Sequence, residues 1–320
     1  MNESMPVLHP QPPTPLPRSR ERRLGNVGRR ILTAAILVPA VLWVIVTGGL
    51  VYLAVVVGII LLGLREFYQL IENKGADPLV GFGLAAGAAL PVVAYVGDEY
   101  HATLLMTAVL LGVMLAQLRK AQIREALASI SGTFFGVFYV GWLMSHAVVL
   151  RDFHGVAQRK WGWAAAAPIH PDAGIFLMIF CLSAVVLSDA GSFFAGRAYG
   201  RRKLAPRISP GKTVEGALGG VVTGGAGGVL CKGVFDVFWP ELSALFGIWV
   251  AACLATAIAI VAILGDLVES LLKRDAARKD AGDLLPGMGG VLDRIDSSLL
   301  GIPLMYYGML SYTYLRVIGS

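Results

Sequence analysis

The sequence is poor in charged residues and in cysteine. Only 15% of its residues are charged, whereas 56% are hydrophobic, and the mean hydropathy is +0.69. A soluble domain carries about 25% charged residues, so this composition excludes an ordinary soluble protein. The cysteines at 181, 231 and 253 lie far apart in or beside apolar segments. Because they form no CxxC pair, the sequence offers no cysteine-based metal site.

Apolar residues are instead abundant and occur in long runs. Crossing a bilayer takes about 20 consecutive apolar residues, and several runs approach that length. Nine candidate spans cover residues 31–47, 50–64, 79–97, 102–117, 130–150, 174–195, 214–235, 245–265 and 299–317. We therefore predict an all-α, polytopic integral membrane protein with about nine transmembrane helices. Residues 1–30, rich in proline and arginine, are expected to form a disordered basic tail, followed by N-terminal membrane helices over 31–173 and a C-terminal region over 174–320.

The distribution of basic residues predicts the orientation. Lysine and arginine concentrate in cytoplasmic loops of membrane proteins. With a cytoplasmic N-terminus, 22 of the 27 basic residues lie on the cytoplasmic side. Two charged loops, 197–213 and 266–297, then face the cytoplasm, and the C-terminus lies outside. The net charge of +6 does not indicate a nucleic-acid partner, because the basic residues are distributed among loops between apolar spans.

The first charged segment covers residues 187–216. Ser188 and Asp189 lie near the end of an apolar span, where a carboxylate is costly unless it faces a polar cavity or a partner. Farther on, Pro210 and Gly211 predict a turn, and Lys212 and Glu215 fall beside a helix start, which favours anions. The remaining basic residues of this loop are explained by ordinary anchoring at the cytoplasmic surface. A Walker A site is rejected, since the required earlier glycine and strand are absent.

A glycine repeat follows in the span near 214–235. Gly216, Gly220, Gly224 and Gly228 recur every four residues and so lie on one helix face. Such faces let helices approach closely, and helix packing is the preferred interpretation. The alternative is that the groove admits part of a lipid.

The second charged segment runs from Asp266 to Asp296 and holds 12 charged residues in 31 positions. If 245–274 is one helix, Asp266, Glu269, Ser270 and Lys273 share one face. Carboxylates together with phosphate oxygens suit Mg²⁺, and the lysines and arginines can meet phosphate charge. The turn PGMGG would bring a second acidic cluster back towards the first. The competing interpretation is a solvated helix–loop–helix with internal ion pairs.

Ser270 to Asp296 reads S-x-x-K-R-x(4)-K-D-x-G-x(2)-L-P-G-x-G-G-x-x-D-R-x-D. This pattern resembles the signature of the phosphatidate cytidylyltransferases, also called CDP-diacylglycerol synthases. Ser188-Asp189 and ISPGKTVEG at 208–216 resemble the same family's pattern. One position departs from it, since Met288 stands where the family commonly has His.

The resemblance implies a CTP-dependent nucleotidyltransferase that joins phosphatidate to CTP, with Mg²⁺ as cofactor. It implies that Asp266 and Asp293 bind the metal and that Asp189 and Lys279 are also catalytic. The implied substrate-binding residues are Ser188, Lys212, Glu215, Ser270, Lys273, Arg274, Asp280, Arg294 and Asp296. It further implies an enzyme of phospholipid biosynthesis in the inner membrane, with the active site facing the cytoplasm. A homodimer is expected.

Two alternatives remain open at the level of sequence. A transporter with a cytoplasmic gate would also suit an intramembrane Asp189 and glycine-rich helices. It leaves the dense 266–296 cluster without a purpose. A related enzyme that uses CTP on a different lipid, such as a polyprenol kinase, is the other alternative.

Overall fold

The computed structural model describes residues 35–97, 99–120, 125–282 and 289–318. The predicted tail at 1–30 and Met288 of the PGMGG turn lie outside these residues.

The described chain is mostly helical, as the apolar runs predict. Its helices are α1 (Ala35–Thr47), α2 (Gly49–Asn73), α3 (Val80–Val96), α4 (Glu99–Gln117), α5 (Ala126–Gly136), α6 (Leu143–Arg151), α7 (Phe153–Trp161), α8 (Trp163–Ala166), α9 (Ala173–Tyr199), α10 (Val214–Phe238), α11 (Pro240–Ser243), α12 (Ile248–Asp275) and α13 (Leu292–Ile318). A π-helical segment, Val137–Trp142, joins α5 to α6. Each predicted span overlaps a helical segment.

Fewer described helices meet the length and hydropathy of a membrane crossing than the nine predicted spans. Within the described residues, six segments are long and apolar enough to cross a membrane: α2, α4, α5 to α6, α9, α10 and α12. The apolar helices α1 and α3 are shorter. The all-α class is therefore confirmed, whereas the count of about nine spans and the orientation stay predictions.

The first charged loop contains a small antiparallel hairpin. Strand β1 (Lys203–Ala205) pairs with β2 (Ser209–Thr213), and the chain turns at 206–208. The predicted turn at Pro210 and Gly211 is therefore wrong, because both residues lie within β2. Proline is tolerated in a strand that has a free edge. Thr213 then caps α10, and its hydroxyl accepts a hydrogen bond from the Gly216 N–H at 3.1 Å.

The second charged segment, predicted as a loop over 266–297, is helical at both ends. Helix α12 continues without a break to Asp275, which confirms the expectation of one helix over 245–274. Helix α13 already begins at Leu292. The connection between the two helices is thus limited to residues 276–291, and the carboxylates at 266 and 296 are held on helices.

Helices α9, α10 and α12 pack closely through the glycine face of α10. A Cβ atom on Gly224 would lie 2.7 Å from Ala259 Cβ of α12 and 2.8 Å from Ala184 O of α9. On Gly220 it would lie 2.8 Å from Ser188 O. These distances are too short for real side chains, so the face serves helix packing. The alternative of an open lipid groove is wrong for this face, because α9 and α12 fill it.

A cavity of about 620 Å³ lies among α3, α4, α6, α7 and α13, and its lining contains no residue of the two charged segments. Its walls include His146, Tyr307 and Arg159. His146 is buried, and its two ring nitrogens contact Trp142 O and the Tyr307 hydroxyl, each at 2.9 Å. The described residues that line this cavity include no carboxylate, whereas the charged segments bring several carboxylates together elsewhere.

Candidate active site

The site forms where α12 passes the beginning of α13. The spacing of Asp266, Glu269 and Lys273 places them on one face of α12, and this face meets the first turns of α13. Gly265 allows the close approach, because a Cβ atom at this position would lie only 2.6 Å from Asp296 O. A larger residue at 265 would push the two helices apart and separate the acidic groups.

Three carboxylates converge at this crossing: Asp266, Glu269 and Asp296. Oxygens from the three lie within 4.8 Å of one another. Glu269 is fully buried and Asp296 is buried, whereas Asp266 is half-buried. Burial raises the pKa of Asp296, and the neighbouring Asp266 charge raises it further. Oxygens held this close repel one another when they are charged, and the arrangement offers a cation several oxygen ligands.

The bonding of Glu269 supports a cation site. Its carboxylate forms an ion pair with Lys273, and among the described residues no backbone N–H group donates to either of its oxygens. A buried carboxylate with unused acceptor capacity is costly unless something else satisfies it. The chemistry of the donor set therefore fits a hard divalent cation such as Mg²⁺, which prefers oxygen ligands.

Asp293 lies next to this cluster but is bonded differently. Its Oδ1 accepts a hydrogen bond from Lys273 Nζ at 2.6 Å. Its Oδ2 accepts from the backbone N–H groups of Ala281 at 3.0 Å and Gly290 at 2.8 Å. Burial raises the pKa of Asp293, but the hydrogen bonds from Lys273 and Gly290 outweigh it and hold that pKa below its ordinary value. The structure thus groups Glu269 and Asp296, rather than Asp293, with Asp266.

Two lysines supply positive charge to the cluster. Lys212 of β2 extends its Nζ to 2.7 Å from Asp266 Oδ2 and so connects the hairpin to α12. Lys273 lies between Glu269 and Asp293 and pairs with both. Both lysines were predicted as substrate-binding residues, and the structure brings both to the carboxylates.

Three further predicted residues lie within α9 and on the first turn of α13. Asp189 is exposed, and its Oδ1 accepts a hydrogen bond from the Ser297 hydroxyl at 3.3 Å. Arg294 is exposed on the first turn of α13. Ser188, by contrast, is fully buried and donates to Ala259 O at 3.4 Å. Its position is that of a packing residue, and its predicted contact with substrate stays a prediction.

Glu215 has a local bonding role. Its carboxylate accepts hydrogen bonds from the backbone N–H groups of Arg201 at 3.0 Å and Arg202 at 3.1 Å. The contacts fix the turn that leads into the hairpin, and so position Lys212. Its predicted contact with substrate stays a prediction.

The remaining predicted residues lie on or just after the end of α12. Ser270 is buried on the α12 face, whereas Arg274 is exposed and its Nε donates to Ile208 O at 3.2 Å. Lys279 and Asp280 are exposed on the segment that follows. Among the described residues, no ion pair joins Lys279 or Asp280 to the carboxylate cluster, and their predicted roles stay predictions.

Glu66 of α2 is a residue that the sequence analysis did not select. It is 2% exposed, and its two oxygens accept hydrogen bonds from the N–H groups of Val291 at 3.0 Å and Leu292 at 2.8 Å. A signal was present, because a carboxylate directly after an apolar run is a functional candidate. Helical spacing also places Glu269 on the α12 face, but the resemblance implies no metal-binding role for it.

Proteins similar to this chain support the family resemblance that the motif indicates. Residues 28–312 match the model of the cytidylyltransferase family. A phosphatidate cytidylyltransferase of Synechocystis sp. is 34% identical over 298 residues, which cover 87% of this chain and 95% of that protein. One from Brucella suis is 31% identical over 283 residues, covering 88% and 93%. One from Haemophilus influenzae is 41% identical over 140 residues, covering 43% and 46%. With most of its length matched, the chain belongs to the cytidylyltransferase family.

Proposed function

We propose that this protein is a phosphatidate cytidylyltransferase that makes CDP-diacylglycerol and pyrophosphate from CTP and phosphatidate. A phosphate oxygen of phosphatidate attacks the α-phosphorus of CTP. The bond from that phosphorus to the oxygen bridging it to the β-phosphorus breaks, and pyrophosphate leaves. The observation that carries this proposal is the buried carboxylate cluster with its two lysines, in a chain that belongs to this family.

We infer that Asp266, Glu269 and Asp296 hold Mg²⁺. Mg²⁺ bound there would draw phosphate oxygens to the site and neutralise their charge. Asp293 is assigned a different part in the same site: it fixes Lys273 and the backbone at Ala281 and Gly290. This division modifies the expectation that Asp266 and Asp293 form the metal pair.

The other side chains of the site serve binding and alignment. Both reactants are anionic, so transfer depends on positioning and on compensating charge rather than on a covalent intermediate. Lys212 and Lys273 provide fixed positive charge beside the carboxylates. Arg274 and Arg294 are exposed and can meet the phosphates of an entering substrate.

The direct test supplies the purified protein with CTP, Mg²⁺ and phosphatidate and measures both products. We expect CDP-diacylglycerol and pyrophosphate in equal amounts. Replacing phosphatidate with diacylglycerol or a polyprenol distinguishes a CTP-dependent lipid kinase, which would release CDP and no pyrophosphate. A protein that yields neither product with phosphatidate, while remaining folded and monodisperse, would contradict the assignment.

We further propose that the site faces the cytoplasm from the inner membrane. The support is the asymmetry of basic residues, together with the need for CTP from the cytosol. A single cysteine at Arg202, in an otherwise cysteine-free protein, should resist an impermeant thiol reagent in intact cells and react after permeabilisation. Ready labelling of intact cells would reverse the orientation. The homodimer stays a prediction, for which light scattering in detergent is the measurement.

A further inference from the structure

Helix α2 contributes a buried carboxylate, that of Glu66, to the start of α13. Glu66 lies on α2, more than 200 residues from the signature in sequence, yet its carboxylate binds the backbone where α13 begins. The carboxylate accepts hydrogen bonds from the N–H groups of Val291 and Leu292, which immediately precede Asp293. The first N–H groups of a helix have no partner within that helix, so a carboxylate from another helix can satisfy them.

Two glycines leave the space for this carboxylate. A Cβ atom on Gly282 would lie 2.5 Å from Glu66 Oε1, and one on Gly290 would overlap Glu66 Oε2. Gly282 and Gly290 both belong to the connection between α12 and α13, residues 276–291. Glu66 therefore packs against two points of this connection and is also bonded to the start of α13.

The location of Glu66 links it to two acidic residues of the site, Asp293 and Asp296. The turn of α13 that it holds carries Asp293, and the next residue of the same face is Asp296. Gly290 also donates its N–H to Asp293 Oδ2 at 2.8 Å. A shift of this turn would move Asp293 relative to Lys273 and would move Asp296 relative to Asp266.

We propose that Glu66 is a positioning residue for the cytidylyl transfer, because its buried carboxylate fixes the first turn of α13 and thereby the acidic groups that this turn presents. It does not contact substrate in this role. The proposal rests on the proposed function for its activity readout, but its structural readout is independent of activity.

The structural test is hydrogen exchange measured by mass spectrometry on the full-length protein in detergent, without substrate or metal. Glutamine at position 66 keeps the shape but leaves only one acceptor for two N–H groups. Glu66→Gln should therefore speed exchange over residues 289–296 by at least about tenfold, with little change in α9 or α10. Glu72→Gln, at an exposed position on the same helix, is the matched control and should leave exchange unchanged.

The kinetic test separates positioning from general stability. Glu66→Gln should lower kcat by at least about tenfold and leave the KM for CTP nearly unchanged, since misalignment affects the reaction more than ground-state binding. A purely structural role would instead lower the thermal midpoint and leave the kcat of the folded fraction unchanged. Wild-type kcat, or wild-type exchange over 289–296, in folded Glu66→Gln would overturn the proposal.

A second variant covers the case in which Glu66→Gln does not fold. Gly282→Ala leaves Glu66 in place but crowds its carboxylate, and it should also speed exchange over 289–296 and lower kcat. Gly81→Ala, where an added Cβ has open space, is the control for the substitution itself. If Gly282→Ala behaves like Gly81→Ala in both measurements, the proposal is wrong. If the wild type makes no CDP-diacylglycerol but the exchange result holds, the proposed function fails while the placement of the α13 turn stands.

Discussion

The carboxylates on the two sides of Lys273 differ in how their oxygens are satisfied. Asp293 accepts one hydrogen bond from the lysine and two from backbone N–H groups. Glu269, only four residues before Lys273, forms an ion pair with the same lysine, but among the described residues no backbone N–H group donates to its buried oxygens. The carboxylate of Asp293 therefore holds neighbouring backbone in place, whereas the carboxylate of Glu269 keeps oxygen lone pairs available for a ligand. The comparison shows that the hydrogen bonds of an acidic residue, and not only its presence in a motif, decide whether it is a candidate metal ligand or a support for its neighbours.

The largest expected effect comes from removing charge within the carboxylate cluster. Asp266→Asn keeps the size of the side chain but removes charge that would bind Mg²⁺. We expect turnover to fall by at least about a hundredfold, which corresponds to roughly 2.7 kcal/mol in the barrier. The protein should still fold, because apolar helices dominate insertion. A Mg²⁺ titration should show weaker Mg²⁺ binding, so that turnover saturates at a higher Mg²⁺ concentration.

The control for that variant is Asp275→Asn at the end of the same helix. Asp275 pairs with Lys74 at 2.8 Å, but both side chains are about half exposed, so the pair contributes little. Turnover within about twofold of wild type is expected. An equal loss in both variants would show that any charge change on α12 is harmful, and would remove the basis for the cluster.

Asp293→Asn should reduce turnover by a similar factor of at least about a hundred, but for a different reason. The substitution removes the charge that holds Lys273 and weakens the acceptors for Ala281 and Gly290. We expect a lower thermal midpoint than in Asp266→Asn, and no recovery of turnover at high Mg²⁺. Wild-type turnover across the Mg²⁺ titration would refute a part for Asp293 in the site.

The double variant Asp266→Asn/Asp293→Asn sharpens the comparison. Groups that act as one unit are non-additive, so the double variant should lose far less than the product of the two single losses. Measuring kcat/KM for all four proteins under one condition gives the coupling. Simple multiplication of the two effects would show that the two groups act independently.

A smaller effect is expected at Lys212. This lysine pairs with Asp266 from the hairpin and is 23% exposed at its side chain. Lys212→Gln should raise the KM for CTP by about tenfold, or 1.4 kcal/mol, with a smaller change in kcat. Arg201→Gln is the control, because the Arg201 contact with Glu215 is made by its backbone N–H. A change confined to kcat would place Lys212 with the reaction rather than with binding.

The smallest effect concerns the position at which the motif departs from the family pattern. If residue 288 only shapes the turn, Met288→His should retain turnover within about tenfold, or 1.4 kcal/mol. Steady-state kinetics at saturating CTP gives the answer. A gain of several orders of magnitude would show an impaired natural enzyme and would weaken the proposed activity.

Sequence alone determined the helical class, the positions of the main helices and the residues from which the site is built. Helices follow from apolar runs of sufficient length, and the shared face of Asp266, Glu269 and Lys273 follows from helical spacing. The glycine repeat of α10 likewise indicated close packing before the partners were known. The motif also led to the family, because its residues occur at fixed spacing over a short segment.

Only the tertiary structure decided which carboxylates converge and which are already bonded. Periodicity places residues on a face of their own helix, but it carries no information about the facing helix or about backbone N–H groups nearby. Asp293 is separated from the cluster by its bonds to Lys273, Ala281 and Gly290, while Asp296 joins it across the α12–α13 crossing. Glu66 reaches the same turn across more than 200 residues, a contact that depends on how α2 packs against the start of α13.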